Sequence, residues 1–141
     1  MIKVKIKKIN PEVKIPNYAH KGDAGLDLYA LETQTIRPGE HGRFWNGFAL
    51  EIPEGYVGII KDKGSISKAE LHTMGGVFDS GYRGEYNVHL VNLGKNPYTI
   101  EKGQKVAQLI ILPVAEAHFE EVKELSDTSR GEGRFGSTGK S

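Results

Sequence analysis

The chain has 141 residues, 38% of them hydrophobic, and its 19 basic against 18 acidic residues leave a formal net charge of +1. That length suits one domain around one core, and the balanced charge supplies no global field to recruit nucleic acid or an anionic membrane. The absence of cysteine excludes disulfides, thiolate metal sites and cysteine nucleophiles, and it is compatible with a cytoplasmic setting.

At the N-terminus Ile2, Val4 and Ile6 alternate with Lys3, Lys5 and Lys7, a strand pattern whose lysines also interrupt the apolar stretch a secretory leader needs. No run approaches the ~20 apolar residues of a membrane span. Short apolar stretches follow at Leu26 to Ala30, Thr33 to Ile36, Phe48 to Ile52, Tyr56 to Ile60, Tyr86 to Asn92 and Val106 to Val114. Turn signals separate them, among them Arg37-Pro38-Gly39-Glu40, Pro53-Glu54-Gly55 and Gly94-Lys95-Asn96-Pro97. Helical turns are expected only within Ser65 to Met74 and Ala115 to Leu125. Many short strands with Gly and Pro turns predict an all-β sandwich, jelly roll or barrel. Val106 to Leu112 is apolar on both faces except for Gln108, so it reads as a central strand buried on both sides, whose lone amide needs a partner.

Residues 126–141 differ in kind. They contain no Ile, Leu, Val or Met and a single aromatic, Phe135, too little apolar surface to offset their ordering entropy, so a mobile arm is expected beyond a barrel domain of residues 1–125.

Three clusters carry chemistry. In the arm, glycines alternate with Arg130, Arg134, Ser137, Thr138 and Lys140, a mixture of bare amides, hydroxyls and cations suited to phosphate oxygens, with Phe135 available to stack on a base. The end Gly139-Lys140-Ser141 approaches a P-loop, but Arg134 stands where its first glycine belongs and no helix follows. A second cluster, Gly75 to Tyr86, reads as a tight hairpin in which Asp79 follows two apolar residues. A carboxylate in apolar company has its pKa raised toward that of a general base, whereas a plain turn aspartate is the alternative. The third, Lys61 to Lys68, offers lysines and hydroxyls to polyphosphate, or simply a solvated loop. The histidines His20, His41, His72, His89 and His118 show no HxH or HxxxH spacing, which argues against a protein-ligated metal.

Five segments taken in order carry a resemblance: Asp23 to Ala30, Lys63 to Ser67, Gly76 to Gly84, Gly103 to Ile110 and Arg130 to Gly139. Their sequence and order resemble the five motifs of the trimeric dUTP diphosphatases (dUTPases). The resemblance implies an all-β, distorted jelly-roll barrel of the dUTPase type with a flexible C-terminal arm, hydrolysis of dUTP to dUMP and pyrophosphate, and a homotrimer with shared active sites. It implies Mg²⁺ held chiefly by the triphosphate, which suits a chain without a carboxylate or histidine cage. Asp79 corresponds to the residue that activates the attacking water, and Gln108 to one that helps hold it. The hairpin main chain at Gly76, Val77 and Phe78 corresponds to the uracil reader, and Tyr82 to the ring packed under the deoxyribose. Lys63, Gly64 and Ser65 correspond to phosphate contacts, as do Arg130, Gly136, Ser137 and Thr138 in the arm, where Phe135 covers the base. Asp27 is implied to act on the metal through water or on the neighbouring site.

The match has departures. Lys63 replaces the family's arginine, and lysine is a point charge without the bidentate fork. Gly64 replaces a serine. Arg134 replaces a glycine, which requires that the backbone there avoid positive φ. Two alternatives share the fold: a non-catalytic nucleotide-binding module, and a dCTP deaminase, which would need a glutamate ten residues beyond Asp79, where this chain has His89.

Overall fold

The computed structural model describes every residue except 137, 138, 140 and 141. Eleven strands and one short helix run in the order β1 (Lys5–Lys8), β2 (Leu26–Tyr29), β3 (Gln34–Ile36), β4 (His41–Trp45), β5 (Phe48–Glu51), β6 (Tyr56–Lys61), α1 (Gly64–Lys68), β7 (Leu71–Thr73), β8 (Val77–Phe78), β9 (Asn87–Asn92), β10 (Tyr98–Ile100) and β11 (Lys105–Pro113). The all-β expectation is met, and all the paired strands run antiparallel. They do not close into one continuous barrel. Two pairs, β1-β5 and β10-β3, accompany a four-stranded sheet ordered β2-β11-β6-β8 and a three-stranded sheet ordered β4-β9-β7.

Alternation explains the layers. In β9, Val88, Leu90 and Asn92 are buried while Asn87, His89 and Val91 are half-buried on the opposite face. The inward residues join one core with Phe44, Phe48, Ile60, Tyr86, Val106 and Leu109. Asn92 is admitted because it is fully used: its Nδ2 donates to the carbonyls of Ile36 (2.9 Å) and Asn96 (2.8 Å), and its Oδ1 accepts from the Gly94 amide (2.9 Å).

Some expectations need correction. Within Ser65 to Met74 the helix is confined to Gly64–Lys68, which buries Ile66, and Leu71–Thr73 pairs with β9 as a strand. Ala115 to Leu125 forms no helix; it is exposed throughout, with Phe119 at 91%. Its apolar residues find no surface among the described residues to cover them, so a helix there would gain little from packing. In β11 only Val106, Ala107 and Leu109 are buried, and Leu112 is exposed. The cause is register: β2 flanks the strand only as far as Leu26↔Leu109, whereas β6 continues to Tyr56↔Pro113, leaving one side of the outer half without a neighbour. Beside it lies an apolar cleft of about 390 Å³ lined by Ile6, Leu26, Leu109 and Ile111 among others.

Candidate active site

One group of side chains gathers where β6 runs into α1 beside β2 and β11. Antiparallel pairing sets Gln108 between Asp27 on β2 and Lys61 on β6. Its Nε2 donates to the Asp62 carbonyl at 2.8 Å, which supplies the partner a lone amide in this strand requires. Gly25 leaves room for that amide, since a Cβ there would lie 2.1 Å from Gln108 Oε1. Asp27 is buried, its side chain only 4% exposed, and its carboxylate is shared between Lys63 Nζ and Lys105 Nζ, the latter at 3.0 Å. Burial alone would raise the Asp27 carboxyl, but the two ammonium groups outweigh it and hold the carboxyl below the usual range. Neighbouring Asp62 is similar: burial acts to raise it, while His72 Nδ1 at 2.5 Å and the Thr73 amide at 2.7 Å prevail and lower it.

A second group is the hairpin of residues 75–86. Phe78 stacks on Tyr86 with ring centroids 4.2 Å apart, and Tyr86 stacks on Phe48 at 5.5 Å, so an aromatic column roots the hairpin in the core. Tyr86 is fully buried, its hydroxyl has no partner among the described residues, and burial pushes its pKa up to about 12. Gly76 has φ +101, and a Cβ on it would meet the Ile60 carbonyl at 3.1 Å; only glycine lets the chain cross β6 so closely. β8 is the last strand of its sheet, so one side of its backbone donors and acceptors is free of strand pairing. Tyr82, 39% exposed, bonds through its hydroxyl to the Glu85 carbonyl at 3.1 Å and turns its ring beside Phe78. Asp79 is exposed, which corrects the expectation that this chain wraps it in apolar neighbours: Val77 points outward at 67% exposure and Phe78 turns toward Tyr86.

The third group is the arm. Arg130 Nε donates to the Gly133 carbonyl at 2.8 Å, Arg134 lies over the Phe135 ring at 5.0 Å, and Phe135 is 92% exposed. Arg134 avoids positive φ as required; Phe135 takes it instead, at 48°. Gly136 has φ +94, and Ser137 and Thr138 lie outside the described residues.

The chain does not bring these groups together. Gln108 stands opposite Lys61 on one side of β6, while Phe78 stands opposite Gly58 on the other, with Asp79 one residue beyond it. At about 3.3 Å per residue and about 4.8 Å between strands, the backbone positions of the two candidate catalytic residues are on the order of 16 Å apart. One water cannot touch both.

The dUTPase family model matches residues 11–139. The chain belongs to the dUTPase family. Among curated relatives it is 44% identical over 142 residues to the deoxyuridine 5'-triphosphate nucleotidohydrolase of Clostridioides difficile, covering 99% of both chains. It is 44% identical to that of Alkaliphilus metalliredigens, again with 99% coverage of both. Among solved structures it superposes on a dUTPase of Staphylococcus bacteriophage 80alpha with dUpNHpp at a TM-score of 0.91, with 28% identity and 99% of each chain covered. The chain is therefore a hydrolase of deoxyuridine triphosphate, and the deaminase and non-catalytic readings give way to it.

Within this dUTPase the departures can be weighed. Gly64 has neither positive φ nor a neighbour within 4 Å of an added Cβ, so neither its backbone conformation nor its surroundings call for glycine. Lys63 is committed to Asp27 rather than free for phosphate. No cluster of three His, Asp or Glu able to hold a metal occurs among the described residues, and the Asp27 carboxylate is occupied by two ammonium groups. These side chains offer no ready-made carboxylate cage among the described residues, an arrangement compatible with a Mg²⁺ carried by phosphate oxygens. Sequence reasoning missed Lys105 and Asp62 as members of the Gln108 group. A lysine opening an otherwise apolar strand was the available signal for the first, while nothing separated Asp62 from its solvated neighbours.

Proposed function

We propose that this dUTPase hydrolyses dUTP to dUMP and pyrophosphate in sites shared by the three copies of a homotrimer. The observation that carries the shared site is the separation of Asp79 from Gln108 within one chain. A hairpin that presents Asp79 and Tyr82 outward, and an arm that leaves Phe135 exposed, suit surfaces completed by a neighbouring copy.

In the assembled site the free backbone edge at Gly76, Val77 and Phe78 reads the uracil, whose acceptor-donor-acceptor edge matches alternating N–H and C=O groups. The Tyr82 ring lies under the deoxyribose and leaves no space for a 2'-hydroxyl. Asp79 takes a proton from a water aligned with the α-phosphorus; the water oxygen bonds to that phosphorus as the bond to the bridging oxygen breaks and pyrophosphate leaves. Gln108, steadied by the Asp62 carbonyl, keeps the water in line. Lys63, tied to Asp27, contributes positive field at the phosphates, while Gly64 and Ser65 border them. A Mg²⁺ carried by the triphosphate, reached by Asp27 through water, would supply charge neutralisation there. Residues 126–141 act as an arm beyond the domain of residues 1–125, with Arg130, Gly136, Ser137 and Thr138 on the γ-phosphate and Phe135 over the base, excluding bulk water. No helix among the described residues is long and apolar enough to cross a membrane. The near-neutral charge favours a cytoplasmic enzyme of free nucleotides, with neither nucleic acid nor membrane as partner.

The test is Mg²⁺-dependent pyrophosphate release from dUTP by the wild type and by Asp79→Asn. The variant is expected to bind dUTP and lose at least ~10²-fold in kcat. Unchanged turnover would remove Asp79 from its role.

A further inference from the structure

Asp62 follows the last residue of β6, one position beyond the final register pair of that strand with β11, Lys61↔Gln108. The ladder therefore stops short of it, and α1 gives the junction no side-chain anchor, because Lys63 at the N-cap makes no capping bond. The Asp62 side chain holds the junction instead. Its carboxylate turns toward β7, where Oδ1 accepts from the Thr73 amide at 2.7 Å and Oδ2 pairs with His72 Nδ1 at 2.5 Å.

β7 is an end strand of the three-stranded sheet, whereas β6 belongs to the four-stranded one. The Met74 amide crosses to the His89 carbonyl of β9 at 2.7 Å, so the Thr73 amide, one residue earlier, points the other way, off the free edge. Thr73 is buried, and an unpaired amide there would be costly. Asp62 satisfies it and so staples one sheet to the other. On its opposite side the Asp62 carbonyl accepts from Gln108 Nε2 at 2.8 Å. One residue is thus pinned through its side chain and aims the Gln108 amide through its main chain. Burial acts to raise the Asp62 carboxyl, but His72 and Thr73 prevail and lower it, so the group is ionised at neutral pH and both of its bonds are charge-assisted.

We propose that Asp62 is a positioning residue for the hydrolytic step, with His72 as the partner that orients its carboxylate: pinned to the edge of β7, Asp62 fixes the carbonyl that aims the Gln108 amide. This rests on the reading of Gln108 as the group that keeps the attacking water in line, and it adds the residues that hold Gln108 in place. With the carboxylate released, the peptide unit between Asp62 and Lys63 is free to turn, and the carbonyl turns with it. A misaimed positioning group slows the chemical step and leaves nucleotide binding alone, so the loss falls on kcat rather than KM.

The experiment measures kcat and KM for dUTP in the wild type, Asp62→Ala, Asp62→Asn and His72→Ala, each alone and combined with Gln108→Ala, with melting temperatures alongside. Asp62→Ala is expected to lose about 10-fold in kcat, the scale of one hydrogen bond, with KM within about twofold of wild type. Asp62→Asn keeps an acceptor for the Thr73 amide and should recover most of that loss. His72→Ala, at an exposed position that tolerates truncation, should lose roughly threefold, since it removes one of the two charge-assisted bonds. In the Gln108→Ala background all three should change the residual rate by less than about twofold, because the group they aim is already gone. A purely structural role would lower the melting temperature and leave kcat of the folded enzyme unmoved, which would overturn the proposal. So would losses that add in full to that of Gln108→Ala. Should Asp62→Ala fail to fold, Asp62→Asn and His72→Ala decide the matter by the same criteria. Full turnover in Gln108→Ala alone would instead remove the role of Gln108, and this proposal with it, while leaving dUTP hydrolysis standing.

Discussion

Replacing Gly25 by alanine tests whether the position of the Gln108 amide, rather than its mere presence, sets the rate. The new Cβ would sit 2.1 Å from Gln108 Oε1, 2.9 Å from Cδ and 3.0 Å from Cβ. The first contact is more than 1 Å inside ordinary van der Waals distance. Gly25 is not among the glycines with positive φ, so alanine brings no strained backbone conformation, and the two nearest atoms struck, Oε1 and Cδ, belong to the free end of a flexible side chain. The amide must therefore swing by about 1 Å, enough to break its 2.8 Å bond to the Asp62 carbonyl. The expected stability cost is that of one hydrogen bond, about 1 kcal/mol. The catalytic cost is larger, because a misplacement of about 1 Å in a positioning group can lower a rate by ~10²-fold. Stopped-flow pyrophosphate release with a urea melt on the same preparation separates the two. Gly25→Ala added to Gln108→Ala should cost little further in rate, since the struck amide is already gone and only the 3.0 Å contact with the retained Cβ is left. A kcat within twofold of wild type for Gly25→Ala, in a protein whose melt confirms the substitution was tolerated, would refute the positional role of Gln108.

Asp27 contributes to the pH profile of stability. Its folded carboxyl lies below the ordinary value of 3.8, so as acid is added the unfolded chain takes up the proton first and stability falls as pH drops through and below that value. Asp27→Asn, compared with wild type by urea midpoints at pH 7 and pH 3, should be less stable at pH 7 and show a shallower acid decline; parallel curves would contradict the ion-pair account. Tyr86→Phe removes a buried hydroxyl without a partner and should raise stability by about 1 kcal/mol with activity retained. A spectrophotometric titration should then lose the tyrosine that ionises at about 12. Deleting residues 126–141 removes no strand found among the described residues, so the melt should be unchanged while kcat/KM falls by ~10²-fold, the scale of losing a preorganised phosphate donor. A truncated enzyme at full rate would exclude the arm from the site.

The six apolar stretches read from the sequence all became strands, with ends shifted by at most one residue, because each carried its own burial pattern. What escaped was set by neighbours. β4 holds one inward apolar residue, Phe44, between exposed Arg43 and Trp45, so its alternation is invisible until β9 is beside it. Gly42 there reads as a turn signal, although its job is to clear the Gln34 and Ile36 side chains, 3.0 and 3.2 Å from where a Cβ would be. Leu71–Thr73 is too short to show a period and follows a real helical turn. The motifs were legible at the site because residue type and order carry them. The Lys63–Asp27–Lys105 grouping was not, since it joins the residue before α1, the middle of β2 and the start of β11, which lie far apart in the sequence.

With the sites shared between copies as proposed, the distance between Asp79 and Gln108 along one chain would make a lesion in a subunit different from a lesion in a site. An Asp79→Asn protein and a Gln108→Ala protein, each inert alone, would regain turnover when denatured together and reassembled, because some mixed sites draw an intact residue from each. A self-sufficient subunit could not be rescued that way. The same arithmetic runs in reverse in a cell carrying one normal and one defective copy of the gene: defective subunits would spoil sites they share with sound ones, so a loss-of-function allele would behave as partly dominant.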